Sequence, residues 1–353
     1  MGPLGLPPFC PRFPWLSADL QTLRDTLRPQ ALHLPPDQQR CLIPVAGGAL
    51  LAWLALPQRA PQAMVLLVHG LGGNSESVGV RRLAALLLQH GLAVLRLNLR
   101  GAGAGRPLAS GSYAAQCNSD LLPVLAQARQ LARGMPLYGV GLSLGGTVLL
   151  NALLARPAGL DGVVALSAPL DLAAGCRQMQ RLRNRPYLWV MVQRLHRQIA
   201  GDPAGLTASE CRALAAAPGW SLEGFDAAIT APRWGYDAVA HYYAAASPLP
   251  QLIRAATSAA TGEAPDGLPP CLVLQAADDP WVPAAAAAAL AEAGSGWPSM
   301  TVVLTPQGGH NGFHGTHDRG TARHDTGIPG QSGVVASWSD RLTAAWIAQQ
   351  LGG

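Results

Sequence analysis

One serine in the chain has neighbours that suit it to chemistry. Ser143 lies in the pattern Gly141-x-Ser143-x-Gly145, between the apolar run Leu137 to Val140 and a helical run of small and apolar residues. A serine at such a strand-to-helix turn is held in a strained conformation, and glycine flanks it because the neighbouring chain passes close. The helix that follows points its first amides to where negative charge develops. The pattern predicts a nucleophile, and the alternative is a serine that only caps a helix.

A serine hydroxyl needs a base within hydrogen-bond reach. In hydrolases with this turn, an acid and then a histidine follow the serine along the chain. His310 comes after the last predicted strand in Gly308-Gly309-His310, where the small residues let the imidazole turn inward. The alternatives are the histidines of the polar loop that follows, namely His314, His317 and His324. His69 precedes the serine, so we predict for it a structural role in binding the backbone of its loop.

The acid must hold the tautomer of the histidine and stabilise its protonated form. Asp279 begins Asp279-Pro280-Trp281, directly after a buried strand, and the proline fixes the turn. Its neighbour Asp278 is the main alternative. Because two adjacent carboxylates cannot both face one histidine comfortably, one of them should point away. Asp171 also follows a strand, but it is better placed to cap a helix.

An oxyanion formed on the substrate needs two backbone amides. The residue after the nucleophile, Leu144, supplies one of them in this type of site. The loop after the predicted strand that ends at His69 supplies the other, for which Leu71 is the best candidate. Glycines at 70, 72 and 73 let that loop pass close to a substrate.

The elements that must position these side chains alternate between strand and helix. An apolar hairpin is predicted around Gly47-Gly48 within residues 41–56, and a short helix near 17–27. The predicted strands that follow are 64–68, 92–99, 137–140, 162–167, 271–276 and 300–304, and the helices are 77–90, 120–133, 283–293 and 339–351. Arg81 and Arg82 are expected on the polar side of their helix. The alternation predicts an α/β fold with a mostly parallel central sheet and helices on both faces.

The domain organisation is predicted from breaks in this alternation. Residues 1–40 are rich in proline and form an irregular N-terminal extension, and residues 41–168 form the first part of the core. Residues 169–252 are helical and rich in arginine and tryptophan, so we predict a helical cap inserted over the active site. Residues 253–353 complete the core and include a polar, glycine-rich loop at 314–332.

Composition sets limits on the class of protein. Hydrophobic residues make up 49% of the 353 residues and charged residues 13%, which excludes a disordered chain or a coiled coil. All 25 basic residues are arginine, which we attribute to genome composition, and the net charge is +5. Six arginines cluster in the cap region: Arg177, Arg181, Arg183, Arg185, Arg194 and Arg197. Two alternatives explain the cluster: a solvated helical face, or attraction to anionic substrates or lipid head groups.

Partners and cofactors are constrained by what the sequence contains. The six cysteines are scattered, which argues against both a zinc site and a disulfide framework: Cys10, Cys41, Cys117, Cys176, Cys211 and Cys271. No nucleic-acid-binding motif is present, and no metal or organic cofactor is expected. The sequence shows neither a signal peptide nor an apolar run long enough for a transmembrane helix, so the expected location is the cytoplasm.

Taken together, these residues resemble one family. It is the branch of the α/β-hydrolases that includes the bacterial hydrolase YheT and the eukaryotic ABHD1/ABHD3-type proteins. The matching stretches are Leu20–Thr22, His69–Ser77, Arg81–Leu83, Asn98–Gly101, Gly139–Gly146, Ser221–Asp226, Thr230–Pro232, Tyr242-Tyr243, Asp278–Pro280 and Gly308–Phe313. The family often has Tyr-His-x-Gly where this chain has Tyr113-Ala114-Ala115-Gln116.

The resemblance implies an α/β-hydrolase fold and a serine hydrolase with Ser143, Asp279 and His310 as its triad. It also implies esterase activity on short-chain esters or on the acyl chains of lipids. An acyltransferase, a thioesterase or a lysophospholipase would use the same triad, because each forms the same acyl-enzyme. A non-catalytic binding protein on a hydrolase scaffold is the alternative from another class.

Overall fold

An eight-stranded sheet forms the centre of the molecule. The structure, a computed structural model, describes residues 3–29, 32, 34–260, 268–295, 297–316, 318 and 336–352. The strands are β1 (Gln39–Val45), β2 (Gly48–Ala55), β3 (Met64–Val68), β4 (Ala93–Leu97), β5 (Leu137–Leu142), β6 (Gly162–Leu166), β7 (Cys271–Ala276) and β8 (Met300–Thr305). Their order across the sheet is β1-β2-β4-β3-β5-β6-β7-β8. The β1–β2 and β2–β4 pairs are antiparallel and the remaining pairs are parallel, so the predicted hairpin and the mostly parallel sheet are confirmed.

Helices cover both faces of this sheet, as the sequence predicts. They are α1 (Ala18–Leu27), α2 (Val78–Gln89), α3 (Asn118–Ala132), α4 (Leu144–Ala155), α5 (Leu172–Met179), α6 (Arg185–Ala200), α7 (Ala208–Ala216), α8 (Leu222–Phe225), α9 (Ala231–Arg233), α10 (Val239–Ala246), α11 (Leu249–Ala260), α12 (Ala285–Ala293) and α13 (Trp338–Gly352). Side chains alternate between the faces along each strand. In β3, Met64, Leu66 and Val68 pack on the side of α3 and α4. Val65 and Leu67 pack on the side of α2 and α13.

The interval between β6 and β7 is helical, from α5 to α11. Within it, Asp226–Thr230 forms one turn of π-helix between α8 and α9. Helix α11 runs across residue 252, so no break in secondary structure marks the predicted junction between the cap and the second part of the core.

One sequence expectation about α2 is wrong. Arg82 is not on a polar surface: it is 1% exposed, and its guanidinium lies between α1, α2 and α13. Its Nε donates to Asp340 Oδ2 at 2.6 Å, and its Nη1 donates to Asp25. A buried arginine needs anionic partners, and these come from the two ends of the chain. The amphipathic pattern of α2 alone could not reveal them.

The N-terminal region contains the predicted short helix. Ser17 caps α1 by accepting a hydrogen bond from the Leu20 amide, which explains why the helix begins there. Most of the predicted polar loop at 314–332 lies outside the described residues, as do His317 and His324.

Candidate active site

Ser143 lies at the tip of the turn between β5 and α4. Its backbone has φ 53° and ψ −126°, a conformation that non-glycine residues rarely adopt. The hydrogen bond from its amide to the Leu166 carbonyl oxygen, at 2.7 Å, ties the turn to the neighbouring strand β6. Strain of this kind persists where the surrounding structure fixes it, and it is common at functional sites.

The two glycines of the pattern are required by close backbone contacts. A Cβ atom on Gly145 would lie 2.3 Å from the Val68 carbonyl oxygen, and one on Gly141 would lie 2.3 Å from the carbonyl carbon of Gly145. Neither neighbour is a flexible side chain that could move aside. The turn therefore keeps its shape only with glycine at both positions.

His310 and Ser143 are within hydrogen-bond distance of each other. His310 Nε2 lies 2.9 Å from Ser143 Oγ, and the ring is 5% exposed. The indole of Trp281 packs against the imidazole, with 4.4 Å between ring centroids. These contacts fix the orientation of the ring with Nε2 toward the hydroxyl.

Asp279 is the aspartate that faces His310. Its Oδ2 accepts from His310 Nδ1 at 2.9 Å, and its Oδ1 accepts from the amides of Trp281 and Val282 at 2.8 and 3.0 Å. Asp278 points elsewhere and accepts from the Gly309 amide at 2.9 Å. Burial and the neighbouring charge of Asp279 raise the pKa of the Asp278 carboxyl. The two adjacent carboxylates thus contact different parts of the histidine loop.

The loop of His310 is held by residues far away in the sequence. Thr22 Oγ1 on α1 accepts from the His310 amide at 2.9 Å. Gln21 bonds twice to the backbone of His314, donating to its carbonyl oxygen and accepting from its amide. Ser167 Oγ, after β6, accepts from the Asn311 amide at 3.2 Å. His314 itself is buried between Asp25 and Asp318, so its ring is engaged away from Ser143.

The loop after β3 runs beside the serine. A Cβ atom on Gly70 would lie 3.0 Å from Ser143 Cβ, and both Leu71 and Leu144 line the cavity that contains the hydroxyl. Tyr113 supports this loop, because its hydroxyl accepts from the Gly72 amide at 2.7 Å. The loop that carries Leu71 is therefore held within reach of a substrate bound to Ser143.

His69 and Asp171 occupy structural positions. His69 Nδ1 donates to the Gly70 carbonyl oxygen at 2.8 Å, and Nε2 accepts from the Leu99 amide at 3.2 Å. Burial lowers the pKa of His69 to about 4, so the ring is neutral. Asp171 caps α5 by accepting from the Ala174 amide at 2.9 Å.

A largely apolar cavity opens from Ser143 and His310 toward the helices between β6 and β7. Its walls include Met179 from α5, Met191 and Leu195 from α6, and Phe225 from α8. One carboxyl group interrupts this apolar wall, that of Asp226 in the π-helical turn. Its oxygens accept from Thr230 Oγ1 at 2.7 Å and from the Tyr243 hydroxyl at 2.8 Å. Burial raises the pKa of Asp226 to about 6.

The sequence profile described as the alpha/beta hydrolase fold matches residues 63–315, which include all of these groups. The chain belongs to the α/β-hydrolase fold family. It is 27% identical to the mouse (Mus musculus) phospholipase ABHD3 over 305 residues, 81% of this chain and 69% of that protein. It is 24% identical to the embryogenesis-associated protein EMB8 of Picea glauca over 278 residues, 73% of this chain and 54% of that protein. This α/β-hydrolase thus spans about half the length of EMB8 and is a distant relative of both.

Solved structures share the fold at lower identity. Est1E from Butyrivibrio proteoclasticus, solved with ferulic acid bound, aligns with a TM-score of 0.52 at 16% identity, over 89% of this hydrolase and all of that chain. The Pyrococcus furiosus esterase Pf2001 aligns with a TM-score of 0.51 at 14% identity, over 80% of this hydrolase and 90% of that chain. In the described part of this hydrolase, no helix has the length and apolar character to span a bilayer.

Sequence reasoning missed three groups around the site of this hydrolase. Thr22, Tyr113 and Trp281 all lie within stretches quoted above, but no rule of spacing links them to His310 or Gly72. The tyrosine that the family pattern places before α3 was the one available signal for Tyr113.

Proposed function

We propose that this protein is a serine hydrolase that cleaves carboxylic esters through an acyl-enzyme. In this reaction Ser143 Oγ attacks the ester carbonyl while His310 Nε2 takes the hydroxyl proton. The proton then passes to the leaving alcohol, and the acyl group stays bonded to Ser143. Water, deprotonated by His310, releases the acid and restores the serine.

One observation carries the proposal: the continuous chain of hydrogen bonds from Ser143 Oγ through His310 to Asp279, each 2.9 Å long. Asp279 would hold the proton of His310 on Nδ1 and stabilise the imidazolium that forms. The Leu71 and Leu144 amides are the proposed donors to the oxyanion. Removing one such donor in a hydrolase costs about 100- to 1,000-fold in kcat.

Acyl chains are the proposed occupants of the cavity. Its walls are mostly apolar, which suits an alkyl chain and gives little reason to bind a strongly polar acid. The mouse relative ABHD3 is named as a phospholipase, which supports an ester of a lipid as the class of substrate.

A fluorophosphonate probe tests the nucleophile. The wild-type protein should become labelled at Ser143, and the Ser143→Ala variant should not. The Ser112→Ala variant is the matched control, because Ser112 is a second serine that lines the same cavity and the proposed mechanism does not use it. Labelling that persists in Ser143→Ala would refute the proposed nucleophile.

A panel of p-nitrophenyl esters of graded chain length, with acyl-CoA and a lysophospholipid, tests the substrate class. Ester hydrolysis that rises with chain length would support lipid or medium-chain esters. Preference for acyl-CoA would instead favour a thioesterase. An inert protein on the whole panel that also fails to react with the probe would contradict the enzyme assignment and favour a binding protein.

A further inference from the structure

One surface of the molecule is not used by the proposed reaction. The segment 172–201, which contains α5 and α6, carries six arginines and no acidic residue. Among the described residues, one of the six forms an ion pair, Arg183 with Asp19 at 3.0 Å. Two further acidic contacts reach the segment in the described structure: Asp19 accepts from the Tyr187 hydroxyl at 2.9 Å, and Glu223 accepts from Gln180 at 3.1 Å. A local excess of positive charge therefore remains at this surface.

The same surface exposes large apolar side chains. Leu182 is 72% exposed, Trp189 57% and Val190 43%. On a helix of 3.6 residues per turn, Val190 lies opposite the buried side that contains Leu195 and Ile199, and Trp189 lies at the flank of that side, exposed to solvent. We call the outer side of this segment the cap face: Leu182, Trp189 and Val190 together with Arg181, Arg185, Arg194 and Arg197.

The inner side of the same helix forms the wall of the candidate active site. Met191 and Leu195 line the cavity that contains Ser143. The cap face and the cavity are thus separated by one helix, about 10 Å across. A surface bound to the cap face would lie directly above the site.

We propose that the cap face docks on the surface of an anionic lipid bilayer. Exposed tryptophan and aliphatic side chains flanked by arginine are typical of protein surfaces that bind at the boundary between the lipid head groups and the acyl chains. The guanidinium groups would bind lipid phosphates, and Trp189 and Val190 would enter the apolar layer beneath them. The positive charge of the cap face, with few acidic residues nearby, matches the negative potential of such a membrane.

Vesicle binding tests this proposal without using the reaction. The Ser143→Ala protein is mixed with vesicles of phosphatidylcholine alone, or of phosphatidylcholine and phosphatidylglycerol in equal parts, and bound protein is measured by flotation. We expect binding to the anionic vesicles and much weaker binding to the neutral ones. Equal binding to both, or none to the anionic vesicles, would overturn the proposal.

Matched charge variants locate the binding surface. In the same background, Arg181→Gln/Arg185→Gln/Arg197→Gln should weaken binding to anionic vesicles on the order of 100-fold, since each arginine near a membrane contributes on the order of a fivefold change. The control variant Arg40→Gln/Arg59→Gln/Arg156→Gln removes the same charge from exposed positions elsewhere and should bind like its parent. Equal losses in both variants would overturn the assignment to the cap face.

Two more measurements separate docking from folding and from catalysis. Trp189→Ala/Val190→Ala should weaken binding about tenfold even at high salt, where screening removes most of the charge attraction. In protein that retains Ser143, both arginine variants should hydrolyse soluble p-nitrophenyl butyrate at the wild-type rate, which shows that they are folded. Docking is measured in Ser143→Ala protein, so its result does not depend on the proposed hydrolysis. Membrane binding can be absent while ester hydrolysis is observed, and membrane binding can be observed while ester hydrolysis is absent.

Discussion

The structure makes a sharp prediction for Asp279→Asn. The amides of Trp281 and Val282 both donate to Asp279 Oδ1, so the variant must keep its amide oxygen at that position. Its NH₂ group then takes the place of Oδ2 and faces His310 Nδ1. To accept from that NH₂, the imidazole must carry its proton on Nε2, pointing at Ser143, and it can no longer take the proton of the serine.

The expected loss of kcat for this tautomer is about 10,000-fold, or about 5 kcal/mol of transition-state stabilisation. The new NH₂ also faces Gln275 Nε2, which donates to Asp279 Oδ2 at 3.1 Å in the native protein. Two opposed donors cost about 1 to 3 kcal/mol of stability, which lowers the unfolding temperature by about 1 to 4 °C for a chain of this length. The variant should therefore be folded but almost inactive.

Asp278→Asn is the matched control, because its amide oxygen can still accept from the Gly309 amide. We expect a less than tenfold change in kcat for this variant, since one hydrogen bond is retained and weakened. Hydrolysis of p-nitrophenyl butyrate and the unfolding temperature are measured for both variants. The reasoning is refuted if folded Asp279→Asn keeps more than a tenth of the wild-type kcat, or if Asp278→Asn loses as much as Asp279→Asn.

Three other changes have defined outcomes. Tyr113→Phe removes the hydroxyl that accepts from the Gly72 amide. It should lower kcat about tenfold with little change in KM. An unchanged kcat would show that the loop after β3 does not need this hydrogen bond. Arg82→Met leaves Asp340 buried without its cation and should cost about 3 to 5 kcal/mol of stability. The unfolding temperature should fall by about 4 to 7 °C, and a decrease of less than about 2 °C would contradict this prediction. Because the pKa of Asp226 is raised to about 6, its carboxyl destabilises the fold above that pH and not below pH 4. Asp226→Asn should therefore raise the free energy of unfolding relative to wild type at pH 8, by on the order of 1 kcal/mol. The difference should vanish toward pH 4, and a difference independent of pH would refute the reasoning.

The strands and the elbow could be predicted because their signals are local. Strands β3 and β7 begin and end at the predicted residues, since each is a continuous apolar run buried on both faces. The glycines around Ser143 indicate that another part of the backbone passes so close to the turn that a side chain at either position would collide with it. The position of His310 followed from the chain order of this type of hydrolase and the small residues before it.

Contacts between distant parts of the chain left no such signal. The bond between Thr22 and the His310 amide joins residues 288 positions apart, and no periodicity links them. Arg82 was expected on a polar surface because its helix is amphipathic. Its acidic partners, Asp25 and Asp340, belong to α1 and α13, which are far from α2 in the sequence. The π-helical turn at Asp226 also escaped prediction, because the flanking helices α8 and α9 have only four and three residues and are too short to show a periodic pattern.

The bonds from Thr22 and Gln21 to the loop of His310 have a consequence for biosynthesis. Thr22 is translated 288 residues before His310, and Ser143 is translated 167 residues before it. A nascent chain has its serine turn long before it has a working proton acceptor. In the proposed mechanism, therefore, hydrolysis begins only after His310 has been synthesised and Thr22 and Gln21 have bound its loop, so a nascent chain that stops before His310 cannot attack esters.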